Sequence, residues 1–80
     1  MIFEKADLRD TNLSGANLTG SDFSQADLRG ANLSNAHLEG AHFAEADLQG
    51  AQLIGADLYL ASFWRANLVI AVRFEPISKE

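Results

Sequence analysis

Three aspartates, Asp7, Asp27 and Asp47, stand twenty residues apart, and stacked above one another they would form a ladder of carboxylates able to imitate a line of phosphates. His37 and His42 carry imidazoles that can ligate a metal or act as a base, and Ser14, Thr19, Ser24 and Ser34 supply hydroxyls that a neighbouring base could activate. None of these chemistries exists until the fold brings the partners together. The spacing of the whole chain therefore decides what each group can do.

All of these residues fall in one five-residue register. The third place of each block is Phe3, Leu8, Leu13, Leu18, Phe23, Leu28, Leu33, Leu38, Phe43, Leu48, Leu53, Leu58, Phe63 or Leu68, fourteen consecutive centres that are Leu or Phe. The first place is alanine in every block up to Ala71 except at Met1, Thr11 and Ser21. The second is mostly Asp or Asn, and all six glycines occupy the fifth. On a helix a step of five turns each leucine roughly 140° beyond a full turn, so the leucines would wind around the cylinder. On a continuous strand an odd step alternates faces. A short extended piece followed by a sharp turn every five residues buries all the centres on one inner side.

The phenylalanines recur every twenty residues, so four blocks complete one circuit and Phe3, Phe23, Phe43 and Phe63 form one column of a structural core ladder. The expected fold is all-β: a right-handed, four-sided parallel β-helix of about 3.5 coils, with coils about 4.8 Å apart and a rod on the order of 17 Å long. Residues 1–73 form the repeat domain and 74–80 a C-terminal tail or cap. Glycines in the fifth place suit turns with positive φ. The fifth places after the phenylalanines, Lys5, Gln25, Glu45 and Arg65, are never glycine. That side is therefore expected to turn without a positive φ.

The blocks ADLRG, ANLSN, AHLEG and ADLQG resemble the A(D/N)LXX motif of the pentapeptide-repeat family, and the resemblance runs over about residues 1–72. It implies a right-handed quadrilateral β-helix without enzymatic activity. It also implies a further possibility, since longer, dimeric members resemble B-form DNA, bind DNA gyrase or topoisomerase IV and protect against quinolones. This chain is shorter than those members and shows no inserted loop.

Weighed in this frame, the chemistry of the first residues recedes. Duplex DNA carries about one charge per 1.7 Å, so a rod of about 17 Å would need on the order of ten net negative charges. Eleven acidic against six basic side chains give a formal charge of −5, and Arg9 and Arg29 share a side with the aspartates. The same charge argues against direct nucleic-acid binding and against an anionic membrane. His37 and His42 sit on adjacent sides and diverge, and there is no cysteine, so no metal site is expected. No serine or threonine of the set has a recurring base beside it, so neither catalytic residues nor a cofactor are expected. The start MIFEKADL shows no secretory leader, and no apolar run is long enough to span a bilayer. The expected location is cytoplasmic.

The departure from regularity lies near the C-terminal end. The fourth place is polar early on, yet becomes Ile54, Tyr59, Trp64, Val69 and Phe74, joined by Leu60 and Ile70 in a place glycine holds elsewhere. A contiguous outward apolar patch marks an interaction surface. A homodimer through this coil, a self-cap by the tail beyond Phe74, where Pro76 interrupts pairing, and a different protein partner all fit it. The expectation is a structural or protein-interaction module that self-associates. A DNA mimic directed at gyrase is the alternative.

Overall fold

The computed structural model describes residues 1–68, and its backbone repeats one five-residue unit throughout. The second residue of each block pairs in parallel with the residue twenty later. Ile2, Asp22, His42 and Ser62 form one column, and Asp7, Asp27, Asp47 and Asn67 the next. Asn12, Asn32 and Gln52 form the third, and Asn17, His37 and Asp57 the fourth. Four columns per circuit make a four-sided parallel β-solenoid. A turn interrupts the extended backbone in every block, so the ladders consist of single-residue bridges.

The block 26–30 shows where the backbone donors go, a question every buried segment must answer. Ala26 N–H donates across the turn to the Phe23 carbonyl at 2.9 Å, and Asp27 N–H donates to Ala6 O, one coil back, at 2.9 Å. Leu28 and Gly30 donate to the coil ahead, at Asp47 O (2.8 Å) and Gln49 O (3.0 Å). The remaining amide, Arg29 N–H, donates to Asp27 Oδ1 at 3.2 Å. This Asx bond recurs from Ser14 to Asn12, Ser24 to Asp22, Ser34 to Asn32, Gln49 to Asp47 and Tyr59 to Asp57. The second-place Asp or Asn therefore faces outward and also holds the turn closed. His37 and His42 have no side-chain oxygen with which to make this bond.

Each turn has positive φ at its fifth-place residue, the requirement of a type II β-turn. The expectation that the phenylalanine side would escape this is overturned: φ is 59° at Lys5, 59° at Gln25, 60° at Glu45 and 58° at Arg65. Closing a coil into a square needs the same bend at every corner, and this outweighs the roughly 1–2 kcal/mol by which an L-residue disfavours left-handed backbone. Glycine is favoured for a further reason at two corners. A Cβ at Gly30 or Gly55 would displace the Asp10 or Asn35 side-chain oxygen folded over it from the coil before.

Inside the prism, leucines and alanines from Leu18 to Ala56 pack in one buried cluster, flanked by partly buried Phe3, Leu8, Leu13, Phe63 and Leu68. The phenylalanines stack in one column, with centroids 5.0, 4.9 and 4.9 Å apart and planes within 10° of parallel. Where alanine is replaced, Thr11 Oγ1 donates to Leu8 O at 2.7 Å. Ser21 Oγ is buried with no hydrogen-bond partner. The tail at 74–80, and the boundary expected at residue 73, lie outside the described residues.

Two stability changes follow from this packing. Phe43→Ala removes a fully buried ring from between two others and is expected to cost about 3–5 kcal/mol in a denaturant melt. His37→Asn supplies an oxygen for the Glu39 amide and is expected to raise stability by about 1 kcal/mol. A loss on His37→Asn would show that the outward second place does not close the turn.

Candidate interaction surface

The fourth and fifth places form the corners, so their side chains project from the flank of the solenoid. Down one corner column the fourth place reads Ser14, Ser34, Ile54, down the next Thr19, Glu39, Tyr59, and down a third Glu4, Ser24, Ala44, Trp64. The polar or small residue thus gives way to an apolar one in the last described coil at all three corners. Ile54 is 37%, Tyr59 50%, Leu60 78% and Trp64 63% exposed. Arg65 lies over the Trp64 ring, its guanidinium carbon 4.6 Å from the centroid, a cation–π contact that holds the indole against the corner. Val69, Ile70 and Phe74, expected to complete the patch, lie outside the described residues.

Leu60 is the anomaly of the set. It has φ 61° in a column whose other members are Gly20 and Gly40. A leucine held in left-handed backbone and exposed to solvent carries strain without burial in return, a combination that directs attention to function.

On the next side the aspartate column forms a charge-alternating ladder. Arg9 forks onto Asp7, with Nε to Oδ1 and Nη2 to Oδ2 both 2.8 Å. Arg29 forks onto Asp27 at 2.8 and 2.6 Å. Each arginine also reaches the aspartate one coil ahead, Arg9 to Asp27 at 3.8 Å and Arg29 to Asp47 at 3.9 Å. Asn67 Nδ2 then donates to Asp47 Oδ1 at 3.3 Å. The fork from Arg9 holds the Asp7 carboxyl at about 2, below its ordinary 3.8, and the Arg29 fork lowers Asp27 likewise. Ser24 lowers Asp22 by donating to it. With arginines set between the aspartates, this side does not present the unbroken negative line of a nucleic-acid backbone.

One alignment was hidden in the sequence by its twenty-residue spacing: Asp22, His42 and Ser62 stack in a single column, the residue types of a catalytic triad. Their geometry does not activate the serine. Ser62 Oγ is 3.5 Å from His42 Nδ1, and the Asp22 carboxylate accepts from Ser24 N–H at 2.9 Å instead of orienting the imidazole. His37 lies 4.0 Å from Glu39 Oε1. Among the described residues there is no group of three or more His, Asp or Glu placed to hold a metal ion, and no pocket.

The charge ladder yields a titration. Because Asp7 binds its proton less readily folded than unfolded, the Asp7–Arg9 pair adds stability above the ordinary carboxylate range, and that contribution is lost as pH falls through about 2. A carboxyl-carbon NMR titration is expected to place the Asp7 midpoint at about 2, and Arg9→Gln to return it toward 3.8. A midpoint unmoved by Arg9→Gln would remove the fork as the cause.

Comparison with known proteins accords with the repeat geometry. The family model described as pentapeptide repeats matches residues 2–25 and 26–65, in eight copies. A solved pentapeptide repeat protein from the cyanobacterium Cyanothece 51142 is similar, with a TM-score of 0.83 and 40% identity, over 84% of this chain and 46% of its own. Another, from the thylakoid lumen of Arabidopsis thaliana, has a TM-score of 0.62 and 41% identity, over 82% of this chain and 49% of its own. The match thus spans about half the length of each relative. The search of curated proteins found no match. A five-residue register, a twenty-residue ladder and a family match over most of its length establish that the chain belongs to the pentapeptide-repeat family.

Proposed function

We propose that this chain is a non-enzymatic protein-interaction module of the cytoplasm, a right-handed quadrilateral β-helix of about 3.5 coils that self-associates through its apolar C-terminal coil. The observation that carries the proposal is the change at three corners from polar or small side chains to exposed Ile54, Tyr59, Leu60 and Trp64 within one coil. Aromatic side chains beside an arginine are the composition of binding hot spots. Pentapeptide-repeat proteins are in general repeat scaffolds without catalytic machinery, and the absence of an activated nucleophile in the Asp22–His42–Ser62 column supports the same view here. The net charge of −5 opposes direct contact with nucleic acid or an anionic membrane. A gyrase-directed role as a DNA mimic is disfavoured by the arginines that interrupt the aspartate column.

Sedimentation equilibrium tests the self-association. The wild-type chain is expected to dimerise from tens of micromolar upward, and Trp64→Glu to shift it to monomer while leaving unchanged the melting temperature measured below the association range. A wild-type chain that stays monomeric at the highest attainable concentration, with Trp64 quenched freely by iodide, would overturn the proposal.

A further inference from the structure

We infer that the surface receiving the apolar patch is the side spanning residues 39–45 of a second copy, directly beneath the patch in each molecule; the inference rests on the self-association proposed above. Along 59–65, Leu60, Ser62 and Trp64 point outward while Ala61 and Phe63 are partly buried against the core, the alternation of an extended segment. One coil below, in the same column positions, stand Gly40, His42 and Ala44, with Glu39 and Glu45 at the two corners. The last described coil is thus large at its ends, with Leu60 and Trp64 above Gly40 and Ala44, and small at its middle, with Ser62 above the exposed His42. A Cβ placed on Gly40 would meet nothing within 4 Å, so the space beneath Leu60 is open.

Place a two-fold axis along the chain direction of this side, midway between the two coils. Each residue of the upper row then faces the residue twenty places earlier in the other copy, and the reverse. Leu60 comes over Gly40, Trp64 over Ala44 and Ser62 against His42, while Arg65 meets Glu45. Large side chains enter small ones, opposite charges pair, and no like charges meet. A two-fold parallel to the solenoid axis does the opposite. It sets Leu60 against Trp64, leaves the floors of Gly40 and Ala44 facing one another, and takes Arg65 away from Glu45.

The first arrangement uses one patch on both molecules and closes at two copies. It also accounts for Leu60, whose strained and exposed leucine gains burial in the pair. Within the chain Arg65 lies over Trp64, and among the described residues it forms no ion pair with Glu45. Its charge is thus available to the second copy. A contact of two rows belongs to the small, transient class of interfaces.

A charge swap tests the face. Arg65→Glu and Glu45→Arg are each expected to weaken self-association at least about fivefold, since each alters two symmetric pairs at once. The double variant, carrying both substitutions in every chain, is expected to return to within about twofold of wild type. Thermal melts verify that each variant folds. Ala44→Lys, which fills the floor beneath Trp64 from an outward corner, is expected to abolish association with the melt of the dilute monomer unchanged. If Trp64→Glu dissociates the protein while the charge variants and Ala44→Lys leave association unaltered, self-association stands and the 39–45 face is overturned. A double variant as weak as the two losses combined overturns the face as well. A wild-type chain that never associates overturns both.

Discussion

The rest of the structure depends on the disposal of backbone N–H groups within each five-residue block. In the block 26–30 two donate to the coil ahead, one to the coil behind, one across its own turn and one to the Asp27 side chain, a bond made only where the second place is Asp or Asn. Only the last needs a particular side chain. The other four need a chain that returns to the same place after twenty residues, and this is why alanine, the smallest chiral residue, lines the inside where backbones converge. An ordinary domain of this length buries a smaller fraction of its surface than a larger one and is marginal. Here the apolar centres from Leu18 to Leu53 are buried because each coil covers the next.

Much of this was legible in the sequence because period and chemistry agreed. Leucine at every fifth residue excluded helix and strand, and phenylalanine at every fourth leucine position measured the circuit. The corners at Lys5, Gln25, Glu45 and Arg65 were misread for a physical reason. Glycine reports a positive φ only where no other force imposes it, and closure of the coil imposes it at every corner. The bond from second-place oxygen to fourth-place amide escaped notice because Asp and Asn also suit an exposed position, so the pattern looked like solvation. The Asp22–His42–Ser62 column was legible in principle, but only after the circuit of twenty was applied to unlike residues.

Two sides of one prism show how a repeat becomes individual. On the Asp7–Asp27–Asp47 side the substitutions keep the register and the charges are satisfied within the molecule by Arg9 and Arg29. Little is left there for a partner. On the side that carries Leu60 and Trp64, the same places depart from the repeat, and the side chains are left exposed and, at Leu60, strained. The backbone does not distinguish the two sides. Only the residues at outward places do, and the fourth place varies most freely because its side chain carries neither the core nor the turn.

The phenylalanine column has a consequence for how such a molecule changes length. Its ring spacing of 4.9 to 5.0 Å is set by the distance between coils, and it falls within the range that offset aromatic stacks prefer. A duplication of one whole circuit would leave every ring above a ring and every arginine between aspartates. An insertion of one block would rotate everything downstream by a quarter turn, setting phenylalanine over leucine and dividing the charge ladder. A change of length that keeps both columns intact is thus quantised in circuits of twenty residues.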